Sequence, residues 1–113
     1  MSQLPLEISP QDVQSRRAAG EAIRLIDVRL PEEHQMANIA GTELIPMQEI
    51  PARLQELEGA AEEATLVFFC HHGMRSLQVA NWLRQHGVEA TQSMTGGIDR
   101  WSLEIDPAVP RYF

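Results

Sequence analysis

The single cysteine of this 113-residue chain, Cys70, closes an apolar run, Val67 to Phe69, and is followed by His71, His72, Gly73, Met74, Arg75 and Ser76. A thiolate is a strong nucleophile, and it is favoured by helix N-termini and by neighbouring cations. Gly73 can adopt positive φ, so that successive backbone N–H groups turn inward as an anion-binding nest. A helix expected to begin near Ser76 adds the positive end of its dipole. Arg75 adds a full charge on a planar fork suited to an oxyanion. Together these residue types imply nucleophilic attack on a sulfur- or phosphorus-bearing anion, with transient covalent capture on Cys70.

Two plainer readings compete. Free cysteine is among the most buried residue types, so without the residues that follow it Cys70 would read as a core side chain. A zinc site needs about four ligands, and one Cys-His-His run offers no second pair at finger spacing. His34 and His86 fall in separate helical contexts. We therefore expect no metal, and we take His71 and His72 as loop residues that supply backbone N–H groups.

The elements that must position this loop read as follows. Ser9-Pro10 with Asp12 marks a helix start, and Gly20 its end. Ala22–Val28 and Thr65–Phe69 are short and almost wholly apolar, as strands covered on both faces are. Pro31, Glu32 and Glu33 open a short helix, and a brief strand around Leu44–Ile45 is cut off by Pro46. Pro51 opens a helix with Leu54 and Leu57 on one face and Gly59 as its stop. After the Cys70 loop, Leu77, Ala80 and Leu83 share a helix face that ends at Gly87. The stretch 89–94 is a weaker strand, followed by Gly96-Gly97 and a short helix around Ile98–Leu103. The predicted architecture is a three-layer α/β domain with a mainly parallel central sheet flanked by helices. One domain spans 1–113, with 1–6 as a lead-in and 106–113 as an extended tail on the surface. In such sheets ligands gather at the carboxyl ends of the strands, which is where Cys70 stands.

Composition narrows the partners. The net charge is −7, lysine is absent, and no basic stripe exists to hold nucleic acid or an acidic membrane. The opening residues have neither a basic nor an apolar signal region, and no apolar run approaches spanning length. The expected setting is a reducing cytoplasm, where a lone thiol stays available for chemistry.

Three segments, in order, resemble the rhodanese family of sulfurtransferases. The stretch 25–47 opens with Asp27-Val28-Arg29 and reaches Pro46 through Gly41, like the family's first signature. The stretch 93–101 carries Gly96-Gly97 ahead of Trp101, like its C-terminal signature, and between them stands Cys-x-x-Gly-x-Arg. The resemblance implies a rhodanese-like fold, no cofactor, and a persulfide formed on Cys70. The donor would be thiosulfate or a protein persulfide, and the acceptor a thiol, cyanide or a sulfur-carrier protein. His71, His72, Gly73, Met74, Arg75 and Ser76 would cradle the persulfide and the leaving anion, while Asp27 and Arg29 would support the loop from beside it. Gly96 and Gly97 would shape a tight turn near the site, and Trp101 would pack the core.

Related phosphatases on this fold use the wider spacing Cys-x5-Arg; here only His71 to Met74 intervene, which favours sulfur over a phosphate ester. A phosphatase, an arsenate reductase without its resolving thiols, and a non-catalytic sulfur-sensing module are the competing readings. The chain departs from the family in carrying Ala37-Asn38-Ile39 where Gly-His-Ile is usual. It also has no lysine, which some members place near the loop, so thiosulfate is expected to be a poor surrogate donor. The tail resembles that of rhodanese domains working beside adenylating enzymes of sulfur-carrier pathways.

Overall fold

A computed structural model describes residues 4–112. Five parallel strands, β1 (Glu7–Ile8), β2 (Ile23–Asp27), β3 (Glu43–Leu44), β4 (Thr65–Phe69) and β5 (Thr91–Met94), form one sheet in the order β1-β5-β4-β2-β3. Between them lie the helices α1 (Pro10–Ala18), α2 (Pro31–Met36), α3 (Leu54–Ala61) and α4 (Met74–Gln85), and α5 (Gly97–Glu104) follows β5. The expected α/β class and parallel sheet are both present.

β4 runs through the middle, and its side chains alternate strictly between two cores. Leu66, Phe68 and Cys70 face Leu57, Val79, Ala80 and Leu83, which come from α3 and α4. Val67 and Phe69 face Val13, Ile98 and Trp101, which come from α1 and α5. Helices therefore cover both sheet faces, which explains why β4 reads as a continuous apolar run. Each fully buried aliphatic or aromatic side chain here contributes about 1.5–3 kcal/mol.

β2 and β4 are adjacent, with Asp27 paired opposite Phe69. From β2 the chain moves outward to β3, and from β4 it moves the other way to β5. The gap at their carboxyl ends is thus the switch point where ligands settle in open α/β sheets. Val28 Nα bonds the Phe69 carbonyl at 3.0 Å, so Cys70 and the Asp27–Arg29 segment leave the sheet side by side.

Several local expectations need correction. β1 was not anticipated; it is two residues long and exists through its pairing with β5. Gly59 does not stop α3, which continues to Ala61 because Leu57 and Ala60 anchor that stretch in the core. α4 begins at Met74, ahead of the expected start near Ser76. The tail does not simply lie on the surface: Val109 is buried, and Tyr112 turns back onto the Cys70 loop. Among the described residues no helix is long and apolar enough to cross a membrane.

Candidate active site

Cys70 is 1% exposed, at the point where β4 ends. Gly73, at φ +100°, reverses the backbone and delivers its own amide to the cysteine Sγ at 3.1 Å. A Cβ there would also press on the Gly96 amide at 3.0 Å. The first amides of a helix have no partner within it. Because α4 starts at Met74, Ser76 lies in its first turn, and the Ser76 amide points to Sγ at 3.4 Å. The Ser76 hydroxyl stands 3.5 Å from the sulfur and 2.8 Å from the Ser93 hydroxyl of β5. Both serines are fully buried, so each hydroxyl needs the other. The sulfur is thus surrounded by donors aimed at one point, an arrangement that stabilises negative charge there.

The loop is also held from behind. Ile98 Nα donates to the Cys70 carbonyl at 2.8 Å, and Asp99 Nα to that of His71 at 3.1 Å. This approach requires Gly97: it sits at φ +62°, and a Cβ would fall well inside contact distance of both carbonyl oxygens. The N-terminal turn of α5 therefore orients the two peptides that follow Cys70. Trp101, farther along α5, packs in the core as the sequence implied.

Arg75 does not stand alone as the charged member of the cradle. Its Nη1 and Nη2 donate to Glu33 Oε1 and Oε2 at 2.7 and 2.9 Å. Glu33 also accepts the Leu30 amide at 3.2 Å and the Tyr112 hydroxyl at 2.6 Å. With four donors on two oxygens, the carboxylate is saturated. The Arg75 guanidinium first, with the Tyr112 and Leu30 donors adding to it, holds the Glu33 carboxyl down to about 2. Burial first, and then the neighbouring carboxylate, push the Tyr112 phenol up to about 12.

Asp27 and Arg29 form a bidentate pair with no solvent exposure, at 2.9 and 2.7 Å. Arg29 also bonds the Glu33 and Ala37 carbonyls and donates to the Tyr112 hydroxyl at 2.9 Å. Asp27 reaches His34 Nδ1 at 2.9 Å. The pair meets the loop through two intermediaries, Glu33 and Tyr112. Tyr112 stacks on His71 with ring centroids 3.9 Å apart and planes 10° apart. Burial, and then the charge of His72, push the His71 imidazole below its ordinary value. His72 and Met74 are exposed at the rim. Asn38, standing where the family usually has histidine, donates to the His34 carbonyl at 3.1 Å.

Glu33, Ser93 and Tyr112 were not among the residues expected at the site. Only Glu33 left a trace in the sequence, as an acid in the first turn after Asp27-Val28-Arg29. Among the described residues no group of three or more His, Cys, Asp or Glu side chains is placed to hold a metal ion.

The profile of the Rhodanese-like domain matches residues 9–104. A sulfurtransferase from Allochromatium vinosum is 31% identical over 103 residues, covering 91% of this chain and 94% of its own length. Rhodanese-like/PpiC domain-containing protein 12, chloroplastic, of Arabidopsis thaliana is 37% identical over 91 residues. That match covers 79% of this chain but 30% of the Arabidopsis protein, so the chain spans under a third of that relative. Among solved structures, the human single-domain sulfurtransferase TSTD1 superposes with a TM-score of 0.77 at 29% identity, over 89% of this chain and 98% of the human one. Matched to the profile over residues 9–104 and in fold over 89% of its length, the chain belongs to the Rhodanese-like domain family.

Proposed function

We propose that Cys70 carries sulfane sulfur as a persulfide. The Cys70 thiolate attacks the outer sulfur of the donor, whose S–S bond breaks. The electron pair leaves with sulfite when the donor is thiosulfate, or with a thiolate when it is a persulfide. An acceptor thiolate or cyanide then attacks the terminal sulfur and releases the Cys70 thiolate. The observation that carries this reading is the convergence of the Gly73 amide, the Ser76 amide and the Ser76 hydroxyl on Sγ. These donors can follow negative charge as it moves from thiolate to persulfide and back. Asp27 and Arg29 act as support, since both are sealed from solvent and their hydrogen bonds reach the loop, among the described residues, through Glu33 and Tyr112.

The test is the intact mass of the protein after exposure to a sulfane-sulfur donor. The native chain should gain one sulfur atom and lose it to cyanide as thiocyanate, and Cys70→Ser should do neither. Thiocyanate formation by Cys70→Ser at the native rate would overturn the assignment.

A further inference from the structure

The cradle is rich in dipoles and poor in net charge. Arg75 supplies the loop's full cation, yet both of its terminal nitrogens are committed to Glu33. That carboxylate cannot swing away without breaking its other bonds, to the Leu30 amide and the Tyr112 hydroxyl. The neighbouring arginines are matched in the same way. Arg29 lies on Asp27, Arg100 on Glu104, and Arg111 on Asp99, whose amide holds the His71 carbonyl. Burial disfavours the charged form of the His71 ring. No lysine exists to compensate, and the chain as a whole carries −7.

A dianionic donor must bring two negative charges to this mouth and finds helix dipoles and backbone amides, each a partial charge. The persulfide group of an organic thiol brings at most one charge to the sulfur, and the amides at Sγ suffice for it. Its organic part also meets Met74, the residue before Arg75, which is 69% exposed.

Building on the persulfide mechanism above, we propose that the site selects thiol-borne persulfides over dianionic donors such as thiosulfate, and that Glu33 sets this selectivity by neutralising Arg75. Tyr112 is a positioning residue that keeps Glu33 on the arginine.

The experiment measures single-turnover sulfur uptake by intact mass, with the persulfide of 2-mercaptoethanol and with thiosulfate as donors, for the native protein, E33Q and Y112F. The native protein should prefer the persulfide by roughly a hundredfold or more, and E33Q should shift the ratio toward thiosulfate by on the order of tenfold. Added salt should weaken the thiosulfate gained by E33Q, since a freed Arg75 acts through an exposed charge. Y112F, which removes one of the four bonds to Glu33, should move the ratio in the same direction by less. It reads the same quantity should E33Q prove poorly folded by thermal unfolding. A ratio unmoved in both variants, or a native preference for thiosulfate, overturns the inference while leaving the Cys70 persulfide intact. If no variant takes sulfur from either donor, the persulfide mechanism itself falls and the selectivity falls with it.

Discussion

Replacing Gly97 by alanine should damage the Cys70 loop from a residue that touches neither the sulfur nor any proposed substrate. Two costs arise there, and other glycines of the chain separate them. Gly20 sits at φ +76° with nothing within 4 Å of a would-be Cβ, so Gly20→Ala isolates the backbone cost, about 1 kcal/mol. Gly59 lies within α3 in open space, without positive φ, so Gly59→Ala should stabilise by about 0.5–1 kcal/mol. At Gly97, with φ +62°, the backbone cost combines with a Cβ driven against the Cys70 and His71 carbonyls. Overpacking of that kind costs about 1–3 kcal/mol, giving a total near 3 kcal/mol and a fall in Tm of roughly 10 °C. A domain with ordinary stability of about 5–15 kcal/mol survives this folded.

The effect on transfer should be larger than the effect on folding. Each displaced carbonyl shares a rigid peptide plane with the amide that follows it, so tilting them turns the peptides leading from Cys70 to Gly73 and carries the Gly73 amide off Sγ. Sulfur uptake by Gly97→Ala should drop by on the order of tenfold or more at a temperature where the variant is still folded. Urea unfolding followed by tryptophan fluorescence gives the stabilities, and intact mass gives the uptake. The reasoning fails if Gly97→Ala and Gly20→Ala agree within about 0.5 kcal/mol and both take up sulfur at the native rate.

Two further perturbations probe the network around the loop. Asp27→Asn keeps the shape of the side chain but leaves the Arg29 guanidinium buried without its counter-charge, which should cost about 3–5 kcal/mol in a thermal or urea melt. Glu33 falls from its ordinary 4.5 to about 2 on folding, chiefly through Arg75, so its stabilisation is complete above 4.5 and vanishes as pH drops to 2. Arg75 is about a third exposed, and solvent there trims the contribution to about 1–2 kcal/mol. The stability gap between the native chain and E33Q should therefore open by that amount as pH rises from 2 to 5 and stay flat above it. A gap that is constant from pH 2 to 5 would contradict the pairing.

Local patterning made the interior of the fold legible. β2 and β4 announce themselves because both faces of each are covered, and α4 because its buried positions recur at helical spacing. Cys70, Gly73 and Arg75 stand out for a related reason: the turn and its charge lie within a few residues of the thiol. What escaped depends on partners distant in sequence. β1 is two residues between prolines and owes its existence to the Ser93 and Met94 register of β5. β5 itself reads weakly because Thr91, Gln92 and Ser93 are polar. Their burial makes sense only once the Ala80, Pro5 and Ser76 groups they bond are in place. Gly59 misled because local propensity favours a stop, while the contacts of Leu57 and Ala60 carry the helix through it. Tyr112 lies 79 positions from Glu33, and no short-range pattern links an aromatic residue in a proline-bounded tail to an acid in α2.

That tail gives the molecule its own spectroscopic probe. Tyr112 is the sole tyrosine of the chain, and its ring lies nearly parallel to that of the residue next to Cys70. A single fluorotyrosine placed by biosynthetic substitution would therefore yield one resonance, shifted by the His71 ring current. Its chemical shift would report whether the loop is empty, sulfurated or swung open.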